Sequence, residues 1–313
     1  MTMKWQADLE VFVGKAFETE YNNRMRKFDP IVGEVVTDSH FYQLRDSGGY
    51  GELELYDGTT LNEGELARGF NTIITPQEYQ KTIGVKFKDN KIDKSGTCKR
   101  VGTKLGSGAS MTVYRHVLRY FGNAATAKTK GGDGKAWAAD DHPIASKGGD
   151  GLVFDADTEA GTYSNKHALA LNGANVRKIR AAADRLVTPD GNPALVNLNM
   201  LLVPPELEET AAKMFGVENK YIPKENPDDS TNAANPNADM TYLVIGGGNE
   251  GLGAKDWALC DSKLMKELFK IVYITKPMVL PHETDNPLIK KFTAYVDFGI
   301  GHGDARMIHF SYN

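Results

Sequence analysis

The sequence predicts a mixed α+β fold with no internal repeat. Short apolar or alternating runs, "TYLVI", "FKIVYIT", "KFTAYVDFGI" and "RMIHFSY", fill the C-terminal part of the chain as strands do. Earlier segments instead place apolar residues at helical spacing, and no period of self-similarity joins the two patterns.

The elements follow in order. Trp5, Leu9, Phe12, Ala16 and Phe17 recur at helical spacing, which predicts a short amphipathic helix near residues 4 to 27, without an obvious core of its own. In "GELELYDGTTLNEGELARGFNTIITPQEYQKTIGVKFKDNKID", Leu53 and Leu55, then Ile83, Val85 and Phe87, alternate with polar residues, as in an extended, largely polar, two-stranded arm. Residues 95 to 123 keep Val101, Leu105, Val113, Val117 and Leu118 near helical register, so a long helix is expected despite its glycines. Residues 128 to 164, rich in Gly, Asp and Lys, read as a loop system at a surface or interface rather than in a core.

Regular signal returns at residue 172. Val176, Ile179, Ala183, Leu186 and Val187 form one apolar stripe, ended by the turn residues of "TPDGNP". "LNMLLV" reads as a buried strand, and Pro204-Pro205 open a helix with Glu206, Glu208 and Glu209 where they suit the positive end of the macrodipole. Leu207, Ala211, Met214 and Phe215 form that helix's expected buried face.

Composition narrows the function. With 313 residues, 41% hydrophobic and 25% charged, the chain can bury one large core or two smaller ones. A formal net charge of -4 gives no bulk attraction to phosphate, which argues against a basic nucleic-acid reader. Cys98 and Cys260 lie far apart without a C-x-x-C, excluding a disulfide framework and suggesting a reducing compartment such as the cytoplasm. Asp8, Glu10, Gly14 and Lys15 interrupt the N-terminal apolar residues, and no later segment is apolar enough to span a bilayer, so a soluble protein without a membrane partner is expected.

Candidate sites are few. Gly246, Gly248 and Gly251 in "TYLVIGGGNEGLG" satisfy G-x-G-x-x-G, a spacing that lets a backbone approach a pyrophosphate at a helix N-terminus. That fingerprint needs a following helix and further strands; here strands and turns follow, so a glycine turn joining two strands is the expectation and a nucleotide-dependent enzyme the out-of-class alternative. "DADTEAG", with Asp155, Asp157 and Glu159, begins like a calcium loop, but Ala160 replaces the turn glycine and Lys166 the bidentate glutamate. His302, Asp304 and His309, with His142 beside Asp140 and Asp141, lack metal-ligand spacing. Ser107 and Ser110 lie outside any G-x-S-x-G, and no Walker A is present. No catalytic, cofactor or metal residue is therefore expected.

Longer stretches carry a resemblance. "DGKAWAADDHP", "TYSN" and "TPDGNPALVNLNMLLVPPELEETAAKMF", in that order and spacing, closely resemble the major capsid proteins of tailed double-stranded DNA phages, of the Mu-like major head subunit type. "LVIGGGNEGLGAKDWALCD" and "FGIGHGDARMIHFSYN" are similar to later segments of the same family, so the likeness covers roughly residues 37 to 313. It implies the Hong Kong-phage-type capsid fold: an N-terminal arm (1–49), an E-loop hairpin (50–94), a P domain with its spine helix (95–171), a mainly A-domain segment (172–270) and C-terminal strands of the A domain returning to the P domain (271–313). The implied function is self-assembly as hexamers and pentamers into an icosahedral head enclosing double-stranded DNA, with scaffold, portal and decoration proteins as further partners. An encapsulin-type nanocompartment shell is the alternative within the fold.

Charge on the arm suggests how subunits hold one another. Glu52, Glu54, Asp57, Glu63 and Glu65 meet no base among residues 50 to 65, and Arg68 follows. Lys81, Lys86, Lys88, Lys91 and Lys94 then outnumber Asp89 and Asp93. Either the two limbs pair with each other, where exposed ion pairs contribute only ~0.2–1 kcal/mol each, or each lies on an oppositely charged neighbour and many weak contacts add around a shell.

Overall fold

The computed structural model describes residues 4–25, 28–47, 68–92, 96–144, 161–188, 192–215, 237, 239–247, 250–282 and 286–313. The elements, in chain order, are α1 (Lys4–Met25), β1 (Gly33–Val36), β2 (Tyr42–Ser47), β3 (Arg68–Ile74), β4 (Gln77–Lys86), α2 (Phe87–Lys91) and α3 (Thr97–Gly122). Next come β5 (His142–Pro143), β6 (Thr162–Tyr163), β7 (Lys166–His167), α4 (Gly173–Ala183), β8 (Met200–Val203) and α5 (Glu208–Phe215). The chain closes with β9 (Thr241–Val244), β10 (Gly246–Gly247), β11 (Glu250–Gly251), β12 (Trp257–Cys260), α6 (Ser262–Leu268), β13 (Phe269–His282), β14 (Ile289–His302) and β15 (Ile308–Ser311). No helix among the described residues is long and apolar enough to cross a membrane. Contacts divide the chain into two compact units, Met1–Tyr42 with Ile74–Val117 and Lys270–Ile300, and Gln43–Ile73 with Leu118–Phe269 and Gly301–Asn313.

The first unit packs two helices on a four-stranded sheet of order β1-β13-β14-β4. Alternation in β14 buries Phe292, Ala294, Val296 and Phe298 on one face, as period-2 geometry requires. The N-terminal helix has a core after all: Leu9, Val13 and Phe17, four residues apart, join Val101, Leu105, Ala109, Val85 and Phe292 in one cluster. Phe12, expected on that stripe, is exposed, because the buried row runs through Val13 instead. The glycines that weaken the reading of α3 as a helix are what let α1 approach it. A Cβ on Gly102 would stand 2.5 Å from the Val13 carbonyl oxygen, and one on Gly106 2.5 Å from that of Phe17. Each glycine forgoes about 1 kcal/mol of helix propensity for that contact.

The second unit is built on a five-stranded sheet of order β7-β15-β12-β8-β9, parallel at β7–β15 and β8–β9 and antiparallel between. Helices α4 and α5 cover it through Val176, Ile179, Ala183, Ala211 and Phe215, which meet Leu201, Val203, Trp257 and Leu259. The strand at "MLLV" and the Pro-Pro helix start match the sequence expectation, whereas α4 ends at Ala183, before Leu186 and Val187 of its expected stripe, and Leu207 and Met214 are only half-buried. Asp261 caps α6 by accepting from the amides of Lys263 and Leu264.

Residues 128–144 correct the reading of that stretch as surface loop. Trp137 is fully buried among Phe121, Phe269, His302 and Phe310, with ring centroids 5.0 to 5.2 Å away. Beyond a two-residue ladder between β5 and β6, the loop is held by side chains, which glycine-rich composition conceals. Asn165 is the hub: its Nδ2 donates to the carbonyls of Trp137, Ala305 and Ile308, and its Oδ1 accepts from the Ala139 amide. Residues 145–160 of the same stretch, including Asp155, Asp157 and Glu159, lie outside the described residues.

Candidate assembly surface

Strand β4 carries two of the lysines assigned to inter-subunit contact, and its partner differs from the one expected. It pairs antiparallel with β14 over ten positions, from Gln77↔Phe298 to Lys86↔Ile289, so the limb bearing Lys81 and Lys86 belongs to the first unit's sheet and not to a free two-stranded arm. Alternation of Ile83 and Val85 shows that the strand is half-buried but cannot say which strand it pairs with; here they lie opposite Phe292 and Lys290. Phe87, assigned to the same strand, instead begins α2, which holds Lys88 on an exposed position. Arg68 opens β3, whose partner is β2. Glu52, Glu54, Asp57, Glu63 and Glu65 lie outside the described residues.

β4 is an edge strand, and its outer edge has no strand partner among the described residues. Lys81 and Lys86 are five positions apart and therefore point to opposite faces of the sheet, both exposed. On the helix-facing side, Lys81 shares the rim of a cleft of about 470 Å³ with Lys104 of α3. Small apolar residues line it as well: Gly108 and Ala109 from α3, and Ala294 and Val296 from β14. Sequence reasoning misses Lys104; its four-residue spacing from Gly108 on α3 is the one signal that could have found it.

On the opposite face Glu78 stands directly across from Asp297. Asp297 is 6% exposed and its Oδ1 has no hydrogen-bond partner. Burial, and then the Glu78 carboxylate, push the Asp297 carboxyl above its ordinary range. The Tyr295 hydroxyl donates to Glu78, while Thr82 and Thr293 share a 2.6 Å hydrogen bond further along.

The glycine run has a structural explanation. After β9, Gly246 and Gly247 pair with Gly251 and Glu250 in a small antiparallel ladder, and the chain passes on to β12, so the motif opens no helix. Space decides the glycines: a Cβ on Gly246 would stand 2.5 Å from Pro205 Cδ, and one on Gly122, at the end of α3, 2.6 Å from the Gly251 carbonyl oxygen. Gly251 also needs φ +104°, and Arg119 holds the turn through Glu250 at 2.8 Å.

The remaining candidates are packed into the second unit or along α3. His142 Nδ1 lies 2.5 Å from Asp133, and its Nε2 faces Asn165 Oδ1 at 3.2 Å. Burial alone would raise Asp133, but hydrogen bonds from His142 and the Lys135 amide outweigh it and hold the carboxyl low. His302 bonds the Tyr120 hydroxyl at 2.6 Å and His309 meets His167 at 3.1 Å, while burial pushes both His302 and His309 down to about 3. Asp304 pairs with Arg306 at 2.6 Å, Asp140 with Lys166 at 3.5 Å, and Asp141 with Lys135. Among the described residues no group of three or more His, Cys, Asp or Glu is arranged to hold a metal ion. Ser110 Oγ donates to the Ser107 carbonyl within α3, and burial pushes the Cys260 thiol up, away from reactivity.

Residues 69–309, most of the chain, match the family described as phage capsid protein. The chain belongs to the phage capsid protein family. Solved structures agree in fold. The procapsid of bacteriophage JBD30 computed in I4 symmetry is 13% identical, with a TM-score of 0.53, over 100% of this chain and 76% of that chain. The capsid of an empty GTA particle is 12% identical, with a TM-score of 0.52, over 91% of this chain and 88% of that one. A virus-like particle from Pyrococcus furiosus is 8% identical, with a TM-score of 0.50, over 99% and 100%. No curated protein matches the sequence. At these identities the likeness is one of fold alone, and the α+β architecture is of the Hong Kong-phage capsid type. The fold is shared by phage capsids and a virus-like particle, so the family match separates this capsid protein from its look-alikes.

Proposed function

We propose that this capsid protein is the major coat subunit, assembling as hexamers and pentamers into an icosahedral head that encloses double-stranded DNA. The family match over residues 69–309 carries the reading. A formal net charge of -4 supports a wall that lies beside DNA without gripping it, since phosphate binding by every copy would oppose dense packing. Assembly would take place in the host cytoplasm, with scaffold, portal and decoration proteins as partners of the growing shell.

The acidic run of one subunit, Glu52 to Glu65, would lie on the basic edge of the next, where Lys81, Lys86 and Lys88 are exposed. Support comes from β4 itself: β14 takes one edge of its ladder, and the other edge of this lysine-bearing strand has no strand partner among the described residues. Each such pair contributes only ~0.2–1 kcal/mol, and repetition around a closed shell makes the sum decisive. Particles from cells expressing the chain with its phage partners, treated with nuclease and then extracted, test the enclosure of DNA. Protected double-stranded DNA is expected; particles holding only protein cargo would favour a nanocompartment, whose fold the virus-like particle from Pyrococcus furiosus shares.

A further inference from the structure

The facing pair Glu78 and Asp297 has no role in the contacts proposed above, yet it is built at a cost. Like charges directly opposite across antiparallel strands repel, and these two face each other in the β4–β14 ladder. Asp297 is buried on the outer face of the sheet, and its Oδ1 receives no hydrogen bond. A buried acceptor without a donor is destabilising, and more so when ionised.

We propose that Glu78 and Asp297 form a proton-operated clasp on the edge strand: with a proton on Asp297, β4 is held to β14, and with both carboxyls ionised, β4 loosens. Chemistry assigns the proton. The Tyr295 hydroxyl donates to Glu78, so that carboxyl already has a hydrogen-bond partner. Asp297, with its orphan oxygen, is left as the group that gains most from an O–H, which it can donate to Glu78. Other titratable groups face the pair weakly: His40, from the segment after β1, acts on Asp297 in the lowering direction, and His282 of β13 is engaged with Thr293 at 2.7 Å.

The sign follows from the raised carboxyl of Asp297. Below the ordinary value of 3.8 the group is protonated whether the strand is docked or open, and the clasp is fully closed. As pH rises above that value, the open state releases its proton first, so docking weakens through the window up to the raised value and stays weakened beyond it. The clasp does not depend on how neighbouring subunits meet, but it acts on the strand that presents Lys81 and Lys86.

Hydrogen exchange of the full chain, read as protection factors for residues 77–86 at pH 4.5 and pH 7.5, tests this. Higher protection at pH 4.5 than at pH 7.5 is expected, because a carboxyl that holds its proton more tightly when docked favours docking at the lower pH, together with loss of the difference in Asp297→Asn. Equal protection at the two pH values in the wild type, or a difference that survives in Asp297→Asn, overturns the proposal. Should that variant fail to fold, Glu78→Gln gives the same reading: a shrunken difference supports the clasp and an undiminished one refutes it.

Discussion

Lys290 Nζ lies 2.5 Å from Glu10 Oε1, tying an ammonium that is 4% exposed on β14 to the N-terminal helix. A buried lysine is tolerated only while its partner is in place, and removing one member of such a pair strands the other. Glu10 itself is 31% exposed, which dilutes the interaction. Glu10→Ala should therefore destabilise the subunit by about 2–3 kcal/mol, below the range for fully buried pairs, whereas Lys290→Met should cost distinctly less. Urea unfolding of dissociated subunits measures both.

Gly102→Ala and Gly106→Ala should each destabilise, although alanine is the better helix former. The added Cβ would meet backbone oxygens at 2.5 Å, and backbone cannot step aside as a side chain can. Gly108 is the control, with nothing within 4 Å of its Cβ position; Gly108→Ala should gain up to about 1 kcal/mol. Thermal or urea midpoints that rise in all three variants would contradict the close approach of α1 to α3.

Those glycines show where sequence reading stops. Periodicity finds the helices and strands, because Val176, Ile179 and Ala183, or Leu201 to Val203, announce a buried face locally. Pairing is not local. Val85 lies opposite Lys290, and Lys290 reaches Glu10, across separations that no periodicity records. Trp137 is hidden for a different reason: a loop pinned by Asn165 has no repeating pattern to betray burial. The basic residues of the proposed assembly surface are legible as charge, but β4's place at a sheet edge is not.

Acid should weaken the second unit. His302 and His309 are about 1% exposed, and burial holds both near 3, against 6.5 when unfolded. Below pH 6.5 the unfolded chain binds protons that the folded chain refuses, so stability falls with pH through that window. At pH 5 the loss is about 2 kcal/mol per histidine. Asp133, held low, extends the loss below its ordinary range, while Asp297, held high, works in the opposite direction. Urea midpoints at pH 7.5 and pH 5 measure the net effect, and His302→Gln should flatten it.

Reversing Glu52 and Glu54 to Lys, or Lys81 and Lys86 to Glu, should block assembly while leaving the subunit folded by circular dichroism. Combining the two reversals should restore part of the yield. High salt should weaken early particles by screening exposed pairs. Yields indifferent to both the substitutions and the salt would leave the acidic segment a steric strap.

The central claim is that this chain is a shell subunit, and sedimentation of the purified full-length protein tests it most directly. Very large closed particles or capsomer rings are predicted under assembly conditions. A lone compact monomer under every condition tried would contradict it.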